Sequence, residues 1–511
     1  MKTMLNPLPG RIKPLLIHLL LAGLGAVLAG QAAAQTFSTL HSFTAVDLET
    51  NSDGATPYYV GLVLSDNILY GTTALGGTNS NGTVFGVSTG PNGTFTTLYS
   101  FTPANGSDYT NSDGADPNAG LLLAGDTLYG TATYGGTNGN GTVFAVSTNG
   151  TGFATLHNFS ALVAGTNSDG ANPVCNLVLS GNALYGTTTA GGTNGVGTVF
   201  AINVDGTGFA TLHTFAAAST NAEGFYTNSD GTGPNSLIVS GNVLYGTAYA
   251  GSTNGSGTVF AINTDGSGFT TLYPFSALVS GTNSDGASPV SSLILSSNML
   301  YGTAAFGGTN GNGTVFAVKA DGTSFTTLYS FTATIGSESL NPDGADPESA
   351  LILSGNTLYG TTFYGGTNGS GTVFAVNTNG TGFATLHTFE AASGDEATNG
   401  DGADPNAPLV LSGNTLYGTT TAGGLHGNGA VFSLSYPSPP LAINPSGTNV
   451  SVTWPGGVGG FSYSGYTLQS STNLNLPSAW SNVPALPVVV SGQNNVTNPV
   501  SGQQMLFRLI E

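Results

Sequence analysis

Residues 128–159 read LYGTATYGGTNGNGTVFAVSTNGTGFATLHNF, and the parts of this stretch recur, with small changes, seven times along the chain. The opening Leu-Tyr-Gly places tyrosines at Tyr70, Tyr129, Tyr185, Tyr245, Tyr301, Tyr359 and Tyr417, at intervals of 59, 56, 60, 56, 58 and 58 residues. A unit of that length cannot bury its apolar surface alone, and the period is that of a β-propeller blade. Inside each unit, short runs of Val, Leu, Thr, Phe and Tyr are bounded by Gly, Asn, Asp or Ser, and no helical periodicity follows the N-terminal segment, so the chain is expected to be all-β. Residues 121–123 are continuously apolar, as suits a strand covered on both faces, whereas Phe95, Thr97, Tyr99 and Phe101 alternate with Thr96, Leu98 and Ser100. Four strands per unit follow. Ser-Gly-Asn before Leu-Tyr-Gly, and Asp-Gly at Asp205, Asp265 and Asp321, supply the tight turns between them.

The order of pieces at the two ends predicts a closed ring. A strand of the last type, FSTLHSF at 37–43, precedes the first Leu-Tyr-Gly, and none follows the final GAVFSLS at 429–435. The expectation is a seven-bladed β-propeller over 35–436, with the N-terminal strand completing the seventh blade and leaving no orphan edge. About five ladder hydrogen bonds at ~1 kcal/mol each, with Phe37, Leu40 and Phe43 buried at ~2 kcal/mol each, make that latch worth on the order of 10 kcal/mol before entropy. After a proline-rich linker, SYPSPP, residues 437–511 do not repeat. Their runs at 450–454 and 467–471, the lone Trp480 and the ending MLFRLIE predict a small C-terminal β-sandwich of immunoglobulin or fibronectin type, near the lower size limit for an independent core.

Residues 1–34 read as a secretory signal peptide: Lys2, Arg11 and Lys13 precede an apolar run at about 15–29, and Ala32, Ala33 and Ala34 offer a small-residue cleavage site. The run is short for a membrane span, so a secreted protein, extracellular or at the cell surface, is expected, without membrane insertion. Removing the leader leaves Lys319 and Arg508 against 25 acidic residues, a net charge of −23. Such a surface repels nucleic acid and acidic membranes and favours cations or basic proteins. Cys175 is the sole cysteine, which excludes an intramolecular disulfide and reads as a small buried apolar residue.

With LYGTTxxGG, GTVFAV and FxTLHxF laid out in that order, the chain resembles the bacterial GloVer tandem-repeat proteins, also called choice-of-anchor tandem-repeat proteins, over about 400 residues. Its units are also similar to kelch blades, in which a strand ends in a glycine pair, here Gly76 with Gly77, Gly135 with Gly136, or Gly365 with Gly366. Phe stands where kelch blades carry a Trp in the fourth strand, and Gly251 with Ser252 replaces one pair. The resemblance implies repeats held in common, C-terminal attachment segments that differ among members, and no defined catalytic residues. No apolar sorting helix or sortase-type motif stands in this C-terminal part.

In an antiparallel blade the loop between strands two and three and the connection from strand four to the next blade emerge on one face. Nineteen of the 25 acidic residues fall in the latter connections. Each carries Asp-Gly, at Asp53, Asp113, Asp169, Asp230, Asp285, Asp343 and Asp401, and two readings compete. One is an Asx turn capping backbone amides. The other is calcium, for which Asn111, Asp113 and Asp116 would supply hard oxygens without completing a ligand set. Tyr134, Tyr249, Phe306, Phe363 and Tyr364 precede or flank the glycine-rich loops, where they either stack on sugar rings or pack against the neighbouring blade. His41, His157, His213 and His387 share a repeat position with Tyr99, Tyr273 and Tyr329, too far apart to share an ion. The DGSGF turn at 265–269 misses the spacing of a sialidase Asp box, and the repeats contain no arginine to hold a carboxylated sugar.

Three functions are compatible with these features. The first is a secreted, non-enzymatic, monomeric interaction protein that offers an acidic face to a glycan, a cation or a basic protein. The second is a carbohydrate-active hydrolase or lyase using carboxylates such as Glu223, Glu390 or Glu396 in the most divergent loops. The third is a structural surface or matrix component. Near-identical loops weigh against an enzyme, which needs unlike groups brought together, and unlike side chains with shifted acidities at the channel mouth would weigh for one.

Overall fold

The computed structural model describes residues 35–59, 61–90, 93–106, 109–222, 224–394, 397–446, 449–463, 466–471, 480–499 and 505–510. Residues 1–34, expected to be a leader, lie outside them. No helix occurs among the described residues.

Every Leu-Tyr-Gly unit forms its own four-stranded antiparallel sheet, and these are numbered here 1 to 7 in the order of their tyrosines. In sheet 2 the strands Leu122–Ala124, Thr127–Ala132, Thr142–Ser147 and Ala154–Asn158 pair in chain order. The glycine of the tripeptide is dictated by close approach. A Cβ on Gly130 would stand 2.5 Å from Cζ of Phe144 and 2.9 Å from Leu121, so only glycine lets the phenylalanine of GTVFAV cross the strand beside it. The last strand of each sheet carries a bulge. Val143 pairs with His157 and Phe144 with Thr155, which leaves Leu156 as the extra residue and adds local twist.

Sheet 7 departs from chain order. Its strands run Thr36–Ser42, Ala430–Ser435, Thr415–Thr420, Val410–Ser412, so the N-terminal strand pairs with a segment almost 400 residues away, from Thr36 opposite Ser435 to Ser42 opposite Ala430.

Successive sheets are joined by apolar clusters. Tyr70 and Val84 of sheet 1 pack with Leu128 and Phe144 of sheet 2, and the pattern repeats until Tyr417 and Val431 of sheet 7 pack, through Phe43, with Leu69 and Phe85 of sheet 1. A second set of contacts follows the same circuit. The His or Tyr of each last strand stacks on a phenylalanine of the next sheet: Tyr99 on Phe153 at 3.8 Å, His157 on Phe209 at 3.7 Å, His213 on Phe269 at 3.8 Å, Tyr273 on Phe325 at 3.9 Å and Tyr329 on Phe383 at 3.7 Å. His387 on Phe37 at 4.2 Å and His41 on Phe95 at 3.9 Å complete it, and both involve the N-terminal strand.

Beyond Ser435 the chain forms a second group of strands. One sheet has the order Ala442–Ser446, Asn449–Pro455, Gln493–Pro499, Val488–Val490, and another Ser481–Asn482, Thr467–Ser471, Leu506–Ile510. The proline-rich segment read as a linker is packed down. Tyr436 is buried and stacks on Phe461 at 4.4 Å, and Tyr463 donates to the carbonyl of Pro437 at 2.6 Å. Phe461 also reaches Tyr359, whose hydroxyl accepts from the Ser462 amide at 2.9 Å, so this group rests on sheet 6. Composition marked the segment as a linker, and its aromatic neighbours, distant in sequence, hold it.

Candidate functional site

The loops bearing the acidic residues are built around one asparagine each. Asn111 donates to the carbonyls of Thr102 (3.0 Å) and Gly114 (2.7 Å), and its Oδ1 accepts from the amides of Gly114 (2.9 Å) and Gly136 (2.8 Å). The same four bonds are made by Asn51, Asn167, Asn228, Asn283, Asn341 and Asn399. In sheet 4 the last donor is Ser252, which takes the place of the second glycine without loss of the bond.

The aspartate two residues on is buried and turned inward. Asp113 accepts from the Tyr99 hydroxyl at 2.7 Å, from the Thr102 amide at 2.9 Å and from the Thr102 hydroxyl. Asp53, Asp169, Asp230 and Asp401 meet His41, His157, His213 and His387 at 2.8–3.0 Å in the same way. Burial pushes the Asp53 and Asp169 carboxyls upward, but hydrogen bonds from histidine and from Thr44 or Ser160 outweigh it and hold both below the ordinary carboxylate range. These histidines thus tie the end of a strand to the following loop while stacking on the next sheet, which explains why tyrosine replaces them. Of the calcium candidates, Asn111 and Asp113 direct their oxygens to protein donors. Asp116 keeps an enclosed Oδ1 without a hydrogen-bond partner, and burial raises its carboxyl to about 6. Among the described residues, no three His, Cys, Asp or Glu side chains are grouped closely enough to hold a metal ion.

Tyr134, Phe306 and Tyr364 stand immediately before the first loop glycine in sheets 2, 5 and 6, and Tyr249 stands one residue earlier in sheet 4, where Ala250 holds that place. Tyr134, Tyr249, Phe306 and Tyr364 are 43%, 41%, 44% and 43% exposed, and Leu75 occupies the equivalent place in sheet 1. Phe363 is half-buried and meets Tyr364 edge-on at 4.5 Å. Of the carboxylates proposed for catalysis, Glu223 and Glu396 lie outside the described residues. Glu390 is exposed and accepts from the Gly400 amide at 3.2 Å, so it caps its own loop. The connection before sheet 4 adds a hairpin that no motif announced, Ser219–Thr220 with Tyr226–Thr227, carrying exposed Phe225 and Tyr226.

Sequence reasoning missed the hub. The residue after the loop proline differs from sheet to sheet, through Tyr58, Asn118, Val174, Asn235, Val290, Glu348 and Asn406. Variation at one position of an otherwise uniform repeat was the signal available. Tyr59, Val174, Asn235, Val290, Glu348 and Asn406 line a shared central cavity. The Tyr59 hydroxyl donates to Glu348 Oε2 at 3.2 Å, and Asn406 Oδ1 accepts from the Tyr59 amide at 3.2 Å and from the Thr421 hydroxyl at 3.0 Å. Burial, helped by the charge of Asp346, raises the Glu348 carboxyl to about 7 against the hydrogen bonds of Tyr59 and Asn406. Burial alone raises Asp346 and Asp404 to about 6. Unlike groups with shifted acidities do therefore converge. The cavity they enclose is about 30 Å³, room for a water or two and not for a sugar. Larger openings lie outside the hub: a groove of about 560 Å³ beside Tyr364 and one of about 290 Å³ beside Leu75.

A sequence profile of the Gloeobacter/Verrucomicrobia repeat matches residues 107–277 and 235–474, together more than half of the chain. The chain belongs to that repeat family. No curated protein matches it. Among solved structures it is similar to an oligogalacturonate lyase from Vibrio parahaemolyticus, at 9% identity and a TM-score of 0.45 over 79% of this chain and 98% of that one. An oligogalacturonate lyase in complex with manganese gives 11% and 0.44 over 80% and 99%. A putative 6-phosphogluconolactonase from Bacteroides fragilis gives 14% and 0.40 over 88% and 97%. Likenesses this distant carry no argument about function.

Proposed function

We propose that the seven sheets are the blades of a seven-bladed β-propeller closed by the N-terminal strand, that residues 437–511 form a C-terminal β-sandwich, and that the protein is a secreted, non-enzymatic binding protein. It presents its acidic, aromatic-dotted face to a glycan or to a basic protein, as a monomer. The observation that carries this reading is the half-exposed ring beside the glycine-rich loop in four of the seven sheets, at one repeat position in three of them (Tyr134, Phe306 and Tyr364) and one residue earlier in the fourth (Tyr249). A folding core has no use for a large ring left in water, and a ring flanked by polar loops suits stacking on a sugar or a basic side chain. Glycan-array binding that is lost on combined Tyr134→Ala, Tyr249→Ala, Phe306→Ala and Tyr364→Ala substitution, with no turnover of the bound glycan, is the expected result. Retention of full binding by that variant refutes it.

A hydrolase or lyase is the second reading, favoured by Glu348, whose near-neutral carboxyl suits a general acid. The small hub cavity counts against it. Turnover of a polysaccharide panel abolished by Glu348→Gln would establish it.

A further inference from the structure

One groove on the acidic face combines a ring, carboxylates and a wall. It lies between the loops of sheets 6 and 7, holds about 560 Å³ and is lined by Tyr364, Glu338, Asn368 and Asp404, with small residues such as Ala391 along its edge. That volume lies within the usual range for small-ligand sites. The wall is made by the turn around Glu338, where Ile335 and Leu340 exchange backbone hydrogen bonds at 2.8 and 3.1 Å. This turn sits directly on Gly369, which has a φ of +81° and whose missing Cβ leaves the space taken by the Glu338 carbonyl. Tyr364 is fixed below its ring by paired backbone bonds with Ala345 at 2.8 and 3.0 Å, so the ring is presented from a rigid base.

The charges around this groove are all of one sign. Burial, with smaller contributions from the nearby charges of Asp404, Asp346 and Glu348, raises the Tyr364 hydroxyl above the ordinary range. Among the described residues neither Lys319 nor Arg508 is near. Lys319 ends the strand Thr314–Lys319 at the opposite side of its sheet from the glycine-rich loops, and Arg508 stacks over Trp480 at 4.4 Å in the C-terminal group. A carboxylated sugar would meet only repulsion here, whereas an ammonium group would meet two uncompensated carboxylates in a partly dehydrated setting.

We propose that the groove formed by Tyr364, Glu338, Asn368 and Asp404 binds an oligosaccharide bearing free amino groups, one sugar ring stacking on Tyr364 while its ammonium pairs with Glu338 and Asp404. This deepens the binding reading above and rests on it. The half-exposed ring selects a flat saccharide face, the carboxylates select the amine, and the acidic surroundings exclude uronic acids.

Calorimetric titration at pH 6.5, above the Asp404 value of about 6, with a glucosamine trimer, an N-acetylglucosamine trimer and a galacturonate trimer tests the assignment. The expected result is binding of the glucosamine trimer, weakening as salt rises, with no galacturonate binding and at least ten-fold weaker N-acetylglucosamine binding. Tyr226→Ala, in the exposed hairpin before sheet 4, leaves glucosamine affinity unchanged, while Tyr364→Ala lowers it at least ten-fold and Glu338→Gln several-fold. Both positions are exposed, and an unchanged circular dichroism spectrum confirms folding. Equal affinity for the N-acetylated trimer, or insensitivity to Glu338→Gln, overturns recognition of the amine. Weakening by Tyr134→Ala and not by Tyr364→Ala overturns the groove but leaves the aromatic face as the binding surface. Binding of a lysine-rich peptide with no saccharide bound overturns the sugar assignment, and no binding of saccharide or peptide brings down the binding reading as well.

Discussion

Replacing Phe37 and Phe43 by alanine tests ring closure without shortening the chain. Phe43 is fully buried, edge-on to Phe85 at 5.5 Å and to Phe95 at 5.8 Å, and its amide donates to Gly429 at 3.1 Å. Phe37 is half-buried between His387 at 4.2 Å and Phe432 at 5.4 Å. Truncating the first costs about 3–5 kcal/mol and the second, with less area removed from water, about 2 kcal/mol. Their ring partners do not overlap, so the two losses add to about 5–7 kcal/mol, a large share of the order of 10 kcal/mol that holds the strand. Hydrogen exchange followed by mass spectrometry reads the outcome. In the double variant, amides of Ala430–Ser435 that pair with Thr36–Ser42 exchange well before the rest of the protein unfolds. Phe275→Ala is the control, because Phe275 is equally buried but belongs to a sheet whose four strands are consecutive, where the loss appears as lower global stability. Unchanged exchange in 430–435, or the same local loosening in the Phe275 variant, refutes the latch.

Four further outcomes are expected. Glu348→Gln matches the wild type in stability at pH 4 and gains up to about 3 kcal/mol above pH 7 in denaturant titrations, because a carboxyl raised from 4.5 to about 7 by folding costs stability only as pH climbs through that window. Asp169→Asn flattens the acid limb of the stability curve: its carboxyl is held below 3.8 in the folded state, so its contribution is present above that value and is lost as pH falls further. Gly130→Ala lowers stability by about 1–3 kcal/mol in chemical denaturation through collision with Phe144, with little change in the spectrum of the folded protein. Calcium and chelator leave the melting temperature unchanged, since the oxygens of Asn111 and Asp113 already accept protein hydrogen bonds.

The candidate site was legible only in part. Tyr134, Phe306 and Tyr364 could be singled out because repeats align them, with Tyr249 one residue earlier, and the alignment told nothing of whether those rings face water or a neighbouring sheet. The Asp-Gly loops were readable as turns from composition, yet the partner of each aspartate, a histidine or tyrosine 12 to 17 residues earlier, depends on how a bulged strand points its side chains. Glu348 and Asn406 passed unnoticed because each is ordinary within its own loop. They matter only where different sheets bring Tyr59 and its counterparts together.

The sequence by itself determined the strands, their turns and the number of repeats, since these depend on contacts between residues close in the chain: the glycine of Leu-Tyr-Gly, the asparagine of each loop, the alternation of the last strand. Tertiary structure alone decided what lies between repeats. The groove beside Tyr364, the hub around Glu348 and the resting place of Phe461 on Tyr359 are made by groups from different sheets, whose separation and burial are fixed by packing around the whole circuit and by no local pattern.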